Sequence, residues 1–396
     1  MIVSKFKNGR QLISKLFFYF AILFFCLNLS SSVSLANVKT NPNPNHLSAF
    51  LILTDIHFNH FSGCESMVPC SLIEKLRQVP VEQWPKILAV FNRQPSKYGE
   101  DTNYFLLTAI LGAAKQKAEQ ENIKFVLVLG DFLGHDFRAS YKKYSRYHDL
   151  TGYTLFVQKT FEFLSKQLNQ TFPHVNVYAV VGNNDSYTGD YQSQPNGKFF
   201  QDGKRFWGYL IKDSVNRNKM MREFTKGGYY TVNIVDPFPF SIIVLNSNFF
   251  SVNARGKNID FFADQQLDWL HHELQLVKSK HQKAFIVMHI PDGIHFYALF
   301  HIRLFTLVDL WKKNYIQRFQ RELKQFAPQI AAIFVSHLHT DWLQLLTFNR
   351  AVGIPAVGTV SVSPIFGNDP GFKICQYDST SLEIENLFTY YYHLHN

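Results

Sequence analysis

KFVLVLGDF, residues Lys124 to Phe132, is an unbroken apolar run that is followed at once by a glycine and an aspartate. A continuous run of aliphatic and β-branched residues is typical of a strand that is buried on both faces. The polar Asp131 comes directly after that run, at the carboxyl end of the predicted strand. The stretch therefore predicts a strand of a largely parallel sheet that delivers a carboxylate to the sheet edge, where α/β proteins collect their functional groups.

The same pattern of an apolar run with a polar end recurs along the chain. It is found in Ala49 to His57, Val175 to Asp185, Phe240 to Asn248, Ala284 to Pro291 and Ile330 to His339. Segments with helical periodicity lie between these runs: Asn103 to Gln120, Leu155 to Leu168 and Ala263 to Val277. Strands that alternate with helices predict a layered α/β fold.

The polar residues at five of these strand ends are all of types that bind metal ions. They are Asp55, His57, Asp131, Asn183, His289, His337 and His339. A single histidine after a strand is more often an ordinary hydrogen-bonded residue than a ligand. Five strand ends that all carry residues of these types instead predict a metal site, with enough ligands for two ions.

Composition limits the class of protein. The chain has 396 residues, 46% of them hydrophobic and 18% charged, which excludes a disordered chain. Four cysteines in this length exclude a disulfide-stapled mini-domain. The formal net charge of +10 falls to +6 without the four basic residues of the first 15, and this excess is scattered rather than clustered. We therefore expect no nucleic-acid polymer as a partner, although an anionic small molecule would be attracted.

The first 36 residues have the pattern of a secretory signal peptide. Their start is basic, an apolar run extends from Leu16 to Leu29, and the small residues Ser34 and Ala36 precede the predicted cleavage point. The alternative is an uncleaved membrane anchor, although the apolar run is shorter than the roughly 20 residues that span a bilayer. We expect secretion to the periplasm, the medium or the endolysosomal lumen, with residues 37–48 as a polar linker.

Three cysteines remain after the predicted cleavage. Export implies an oxidising compartment, so Cys64 and Cys70 are candidates for a short-loop disulfide, the alternative being two free thiols. Cys375 is expected to be an unpaired cysteine inside a strand.

Five short motifs resemble those of a known superfamily. They are Asp55-Ile56-His57 (D-x-H), Gly130-Asp131 with His135 (G-D-x-x-x-H), Gly182-Asn183-Asn184-Asp185 (near G-N-H-[DE]), Met288-His289, and Ser336-His337-Leu338-His339 (near G-H-x-H). In this order the set resembles the calcineurin-like metallophosphoesterase superfamily. The position of His135, the sequence after His289, the stretch Lys226 to Tyr230 and the stretch Asp369 to Lys373 are similar to its acid sphingomyelinase-like phosphodiesterases.

The resemblance implies both a fold and a chemistry. The fold would be a four-layer α/β sandwich of two mixed sheets flanked by helices, with a dinuclear metal site at the strand ends. The catalytic domain would be residues 49–396, including a short C-terminal extension. The family indicates that both ions are zinc. One ion would be held by Asp55, His57, Asp131 and His339. The second ion would be held by Asp131, Asn183, His289 and His337, and hydroxide generated between the ions would attack a phosphodiester or pyrophosphate in line with the leaving group.

The chain departs from the family pattern in ways that affect catalysis. Asn184 stands where the family has a histidine that contacts the phosphate. An amide can donate a hydrogen bond to a phosphoryl oxygen but cannot give a proton to the leaving group. His135 is therefore the predicted general acid. Ser336 replaces a glycine, a change expected to matter little, and Asp292 replaces a proline near the mouth of the site.

The substrate and a second activity stay open at this stage. A nucleotide, a CDP-choline-like molecule or a sphingomyelin-type head group would each suit a phosphodiesterase of this kind. The alternatives are a phosphomonoesterase on the same fold and a catalytically weakened metal or phospholigand binder. A lipid-surface binding protein is a further alternative, because residues 295–326 combine an apolar run with a basic amphipathic segment that could touch a membrane peripherally. We favour a core or dimer-interface helix for that segment, and the oligomeric state stays open.

Overall fold

The computed structural model describes residues 46–235, 238–293, 309–348 and 353–394. The predicted signal peptide (1–36), nearly all of the predicted linker (37–48) and residues 295–308 of the proposed membrane-contact segment lie outside the described residues. None of the described helices is long and apolar enough to cross a membrane.

Eleven described strands form two mixed sheets. They are β1 (Leu47–Leu53), β2 (Phe125–Val128), β3 (Asn176–Ala179), β4 (Tyr230–Ile234), β5 (Phe240–Val244), β6 (Ala284–Val287), β7 (Ile330–Val335), β8 (Trp342–Thr347), β9 (Gly353–Gly358), β10 (Gly371–Asp378) and β11 (Ile384–Tyr391). The first sheet has the order β11-β10-β1-β2-β3 and the second β4-β5-β6-β7-β9-β8. In the first sheet β2 pairs in parallel with β1 and β3, whereas β10 pairs antiparallel with β1 and β11. In the second sheet β5, β6, β7 and β9 pair in parallel, and the edge strands β4 and β8 are antiparallel to their neighbours.

Helices flank the sheets. The described α-helices are α1 (Ser71–Gln78), α2 (Trp84–Phe91), α3 (Tyr104–Gln120), α4 (Phe137–Tyr144), α5 (Leu150–Thr171), α6 (Lys198–Leu210), α7 (Ser214–Glu223), α8 (Ile259–Ser279) and α9 (Lys313–Gln325). The starts of α3, α5 and α7 are marked by Asn103, Asp149 and Asp213, whose side chains each accept a hydrogen bond from a first-turn backbone N–H. Helix α3 packs on β1 and β10, and α8 packs on β5. The predicted α/β fold of two mixed sheets flanked by helices is therefore confirmed.

Aromatic side chains fill the space between the two sheets. The ring of Phe50 on β1 stacks on that of Phe125 on β2, with centroids 4.6 Å apart. It also meets the edge of Phe334 on β7 at 5.2 Å, so the ring of Phe50 contacts both sheets. All three side chains are buried. Each such burial contributes roughly 1.5–3 kcal/mol, and the edge-to-face geometry adds to it.

The strands are shorter than the predicted runs, and several were not predicted. Strand β1 ends at Leu53, so Asp55 and His57 lie in the loop that follows it. The unpredicted strands are β4, β8, β9 and β11. Among them β8 and β11 have largely exposed or half-exposed residues, which do not produce a continuous apolar run. Cys375 lies in β10, buried and unpaired, as expected.

The C-terminal residues belong to the first sheet. Strand β10 pairs with β1 and β11 pairs with β10. β10 and β11 thus form an antiparallel hairpin, with β11 at the edge of the first sheet. It completes the sheet that carries the first metal-site loop.

The described part of the proposed membrane-contact segment packs into the fold. Helix α9 buries Tyr315, Phe319 and Leu323. On its polar side the guanidinium of Arg318 pairs with Asp264 and Asp268 of α8. The apolar face of α9 is therefore covered by the protein itself, in agreement with a core helix over this part of the segment.

The structure joins Cys64 and Cys70 by a disulfide bond. Both residues are buried, and they lie six positions apart in the chain, just before α1.

A half-buried ammonium group caps the end of α1. Lys159 of α5 donates through Nζ to the carbonyl oxygens of Arg77 at 2.6 Å and Val79 at 2.8 Å. These carbonyls have no partner within their own helix, and a cation suits the negative end of a helix dipole. We expect Lys159→Met to lower the free energy of unfolding by about 1–3 kcal/mol, measured by urea denaturation.

Lys166→Met is the matched control for this prediction. Lys166 lies on the same helix but pairs with Glu82 and Glu162 near the surface. Because surface ion pairs contribute little, its replacement should cost clearly less stability. Equal losses in the two variants would show that the cap adds nothing beyond an ordinary surface charge.

Candidate metal centre

All seven predicted ligands lie in loops that directly follow strands. Asp55 and His57 follow β1, Asp131 follows β2, Asn183 follows β3, His289 follows β6, and His337 and His339 follow β7. The parallel strands of both sheets end at the same side, so these loops meet there. The loops are also tied together directly: the backbone N–H of Asp55 donates to Gly130 O at 3.1 Å, and that of His57 to Asp131 O at 2.9 Å.

The backbone of these loops is strained in a consistent way. Five of the seven residues have positive φ: Asp55 (48°), His57 (40°), Asp131 (54°), His337 (71°) and His339 (56°). Non-glycine residues seldom adopt this conformation, and where they do the strain commonly accompanies a functional site.

Two glycines are required by the close approach of the loops. A Cβ on Gly182 would lie 2.1 Å from the backbone N of Asp131. A Cβ on Gly130 would lie 2.7 Å from the N of Gly182 and 3.0 Å from Nδ1 of His289, and Gly130 also has a φ of +96°. The glycines of the two motifs therefore let the loops after β2 and β3 touch beneath the predicted ligands.

Asp55, His57 and His339 form the first ligand group. Nε2 of His57 lies 3.2 Å from Nε2 of His339, and the latter lies 3.4 Å from Oδ1 of Asp55. His57 donates through Nδ1 to Leu133 O at 3.0 Å, which leaves its Nε2 as the nitrogen turned toward the group. All three ligands are buried.

Asp131, Asn183, His289 and His337 form the second ligand group. Nε2 of His289 lies 2.9 Å from Oδ1 of Asn183 and 3.3 Å from Oδ2 of Asp131. Nδ1 of His289 is bonded to Leu129 O at 2.8 Å, so this ring too presents Nε2 to the site. His337, which is partly exposed, brings a ring nitrogen within 4.8 Å of possible ligand atoms of Asp131 and His289.

Asp131 connects the two groups. Its Oδ2 lies 3.4 Å from Nε2 of His57 in the first group and 3.3 Å from Nε2 of His289 in the second. One carboxylate thus faces both sets of imidazole nitrogens, as a ligand shared by two ions would.

The residues fit divalent cations. Oδ1 of Asp55 is buried and accepts no hydrogen bond from any described residue, a costly state for a carboxylate unless something positive faces it. Burial raises the pKa of Asp55 to about 7, and the nearby Asp131 carboxylate adds to the effect. Four imidazoles, two carboxylates and one amide form a borderline donor set of the kind that binds zinc, manganese or iron.

Two of the histidines are in the neutral form that suits metal ligation. Burial lowers the pKa of His57 to about 4, and burial also lowers the pKa of His339, so both rings are neutral. His289 differs: burial disfavours its charge, but the Asp131 carboxylate raises its pKa to about 9. In that position a bound cation would replace the proton as the partner of the carboxylate.

His135 lies beside the first group and is held by a carboxylate that sequence reasoning missed. The carboxylate is Asp101, whose Oδ1 lies 2.9 Å from Nδ1 of His135 and whose Oδ2 accepts the backbone N–H of His135 at 2.6 Å. The His135 ring stacks on that of His57, with centroids 4.0 Å apart. Burial alone would lower the pKa of His135, but the Asp101 hydrogen bond and charge raise it above its ordinary value.

Asn184 is bonded to the shared carboxylate. Its backbone N–H donates to Oδ1 of Asp131 at 2.8 Å, and its side-chain Nδ2 donates to Oδ2 at 2.9 Å. The sequence suggested that this amide would donate to a phosphoryl oxygen. In the structure one amide proton of the buried side chain instead orients Asp131.

Two further residues support the ligands. Ser336, expected to serve only as a small residue, places Oγ 2.8 Å from Nδ1 of His289 and donates to Leu129 O at 2.9 Å. Asp185 accepts the backbone N–H groups of Phe132 at 2.8 Å and Gly182 at 2.9 Å, which fastens the loop after β2 to the loop after β3. Nothing in the sequence marks the Ser336 contact, whereas Asp185 stands in a predicted motif.

Comparison with known proteins gives one family and several distant relatives. A family model described as calcineurin-like phosphoesterase matches residues 48–341. A protein named sphingomyelinase phosphodiesterase D from Dictyostelium discoideum is 26% identical over 362 residues, which cover 86% of this chain and 74% of that protein. A cyclic GMP-AMP phosphodiesterase from Bos taurus is 25% identical over 58% of this chain and 50% of its own length. The human acid sphingomyelinase-like phosphodiesterase 3b is 25% identical over 59% of this chain and 51% of its own length.

The aligned region thus spans about half the length of these two mammalian relatives. Among solved structures, a dimetal phosphatase from Danio rerio matches 87% of this chain and 99% of its own, at 13% identity and a TM-score of 0.47.

Proposed function

We propose that this chain, which belongs to the calcineurin-like phosphoesterase family, is a two-metal hydrolase of small-molecule phosphodiesters. The observation that carries the proposal is the position of Asp131, whose Oδ2 faces Nε2 of His57 at 3.4 Å and Nε2 of His289 at 3.3 Å. The relatives that bear phosphodiesterase names support the same reaction class.

Each ligand group would hold one divalent ion. The first ion would be bound by Asp55, His57, Asp131 and His339, and the second by Asp131, Asn183, His289 and His337. When bound, two such ions stabilise charge on phosphoryl oxygens and lower the pKa of water. The borderline donor set suits zinc, manganese or iron, and the family resemblance favours zinc among them.

His135 would supply the proton for the leaving group. Nδ1 of the ring is hydrogen-bonded to the Asp101 carboxylate, so Nε2 is the nitrogen that can give a proton to a departing oxygen. The His135 side chain is 33% exposed beside the buried first group, so a substrate in the open site can reach it. Asp101 keeps the ring in one orientation and stabilises its charged form.

Asn184 would act on the shared ligand and not as an acid. Its amide and backbone N–H fix both oxygens of Asp131. An amide carries no titratable proton, so protonation of the leaving group falls to His135 alone.

The substrates we propose are a nucleotide, a CDP-choline-like molecule or a phospholipid head group. Relatives named for cyclic GMP-AMP and for sphingomyelin support this range. We also propose that the protein is exported, on the basis of its basic and apolar N-terminal residues.

A weakened metal and phospholigand binder is the second candidate, and Asn184 in place of histidine is the observation that favours it. The test is to purify the chain and its Asn184→His variant, count bound metals, and assay bis-p-nitrophenyl phosphate, ATP, CDP-choline and sphingomyelin. p-Nitrophenyl phosphate serves as the monoester comparison.

Two bound metals with diester turnover in the natural chain would support the proposed hydrolase. Turnover that appears only in the Asn184→His variant would favour the binder. Faster hydrolysis of the monoester than of any diester would make the chain a phosphomonoesterase, and a chain without bound metal would end the proposal.

A further inference from the structure

We propose that Asp190 is a positioning residue for the second ligand group, and that it decides which end of the Asn183 amide faces the cation. This inference rests on the proposed function only in requiring that the centre bind metal. Asp190 lies outside every motif in the chain, and its carboxylate touches a predicted ligand directly.

The geometry at Asn183 is specific. Its Nδ2 donates to Oδ1 of Asp190 at 2.7 Å, while its Oδ1 lies 2.9 Å from Nε2 of His289, inside the ligand group. The two ends of a carboxamide are nearly equal in size, but only the oxygen has lone pairs for a cation, whereas the nitrogen carries two hydrogens.

A rotated amide would be opposed by Asp190. Rotation by half a turn would set the carbonyl oxygen of Asn183 against a carboxylate oxygen, and neither atom has a proton to share. It would also turn N–H groups toward the place of the cation. The charged acceptor therefore selects the orientation in which Asn183 can ligate.

The loop that carries Asp190 is held in place by backbone bonds. The N–H of Tyr191 donates to Asn183 O at 2.9 Å, and the N–H of Arg255 donates to Tyr191 O at 3.0 Å. The residues on both sides of Asp190 have positive φ, 114° at Gly189 and 56° at Tyr191. For a tyrosine this conformation is unfavourable, and surrounding contacts must maintain it.

The same loop reaches a second ligand of the same group. The hydroxyl of Tyr191 lies 3.3 Å from Nε2 of His337. Consecutive residues of one loop thus contact Asn183 and His337, both on the side of the second ion. Asp190 itself is exposed, so its carboxylate adds nothing to the packed core, and its contact with Asn183 is the role that the structure gives it.

The test measures zinc affinity of the full chain by competition with a chelating dye, and it needs no turnover. Asp190→Ala should weaken one of the two sites about 10–100-fold, the usual cost of losing a partner behind a metal ligand. Asp190→Asn should also weaken that site, though less than Asp190→Ala, because its amide can offer either an oxygen or N–H groups to Asn183 and no longer excludes the rotated orientation. Gln192→Ala, in the same loop, is the control and should leave both affinities unchanged.

The outcomes separate this inference from the proposed function. Unchanged affinities in Asp190→Ala would overturn the inference, and so would an Asp190→Asn variant that binds both ions as tightly as the natural chain, since a side chain that can donate as well as accept would then serve equally well. A natural chain that binds two zinc ions without hydrolysing any diester would end the proposed function and leave the inference to be decided by the affinities. A natural chain that binds no zinc would end both.

Discussion

Replacing Asp131 by asparagine should remove diester hydrolysis almost completely, with a loss of about 10³-fold or more in kcat/KM. The physical reason is that Oδ2 of Asp131 faces Nε2 of His57 and Nε2 of His289, so a neutral amide withdraws a negative charge from both ions at once. Two ions together stabilise a reaction by several kcal/mol, and each 1.36 kcal/mol corresponds to a factor of ten in rate. The metal content should fall below two ions per chain, as measured by elemental analysis after dialysis.

Asp136→Asn is the matched control for this substitution. Asp136 is an exposed aspartate in the loop that leads into α4, and its side chain makes no cap hydrogen bond there. The Asp136→Asn variant should keep both ions and hydrolyse the diester at the natural rate. An Asp131→Asn variant that retains two ions and most of its activity would show that the two ligand groups do not depend on a shared carboxylate.

Replacing His135 by glutamine should slow hydrolysis according to the leaving group. We expect kcat to fall by about 10²–10⁴-fold for a diester with an aliphatic alcohol leaving group, because that oxygen needs a proton as it departs. For bis-p-nitrophenyl phosphate the fall in kcat should be far smaller, since nitrophenolate leaves without needing a proton. The measurement is kcat for the two substrates, with the metal content of the variant as a check that both ions remain.

Asp101→Asn extends this test. Asp101 holds Nδ1 of His135 at 2.9 Å without belonging to the two ligand groups that would bind metal, so the variant should show a weaker form of the same leaving-group dependence. Equal losses for both substrates in His135→Gln would contradict a proton-donor role. They would place His135 instead among the residues that bind the phosphate or support His57.

The central strands could be predicted because they are buried on both faces. Runs such as Phe125–Val128 and Ala284–Val287 are wholly buried, and this environment selects the continuous apolar sequence that identifies them. The positions of the ligands follow from the same fact. When the strand ends are known, the first polar residues beyond them must lie at a common edge.

The edge strands could not be recognised in this way. Strand β8 alternates poorly and exposes Leu343 and Leu345, and β11 is mostly half-exposed. Such segments become strands because a neighbouring strand offers hydrogen bonds. Their own sequence gives little indication that they form strands.

The supporting residues of the site were missed for a related reason. Asp101 is in a loop far from His135 in the chain, and only the folded structure brings the two within 2.9 Å. Asp190 likewise follows a turn-like Thr-Gly pair with no preceding strand. Contacts made by such loops depend on tertiary structure, so neither periodicity nor motif spacing reports them.

The position of β1 has a consequence for how the chain acquires activity during synthesis. β1 delivers Asp55 and His57, yet it lies between β2 and β10, and β10 is made near the other end of the chain. The turn before β10 also bonds the first loop, since the N–H groups of Val362 and Ser363 donate to the carbonyls of Thr54 and Asp55. A nascent chain therefore has its first ligands long before it has the strand that fixes them, and such distant pairings form slowly. Fragments that stop short of β10 should be inert, which delays hydrolytic competence until β10 has been synthesised.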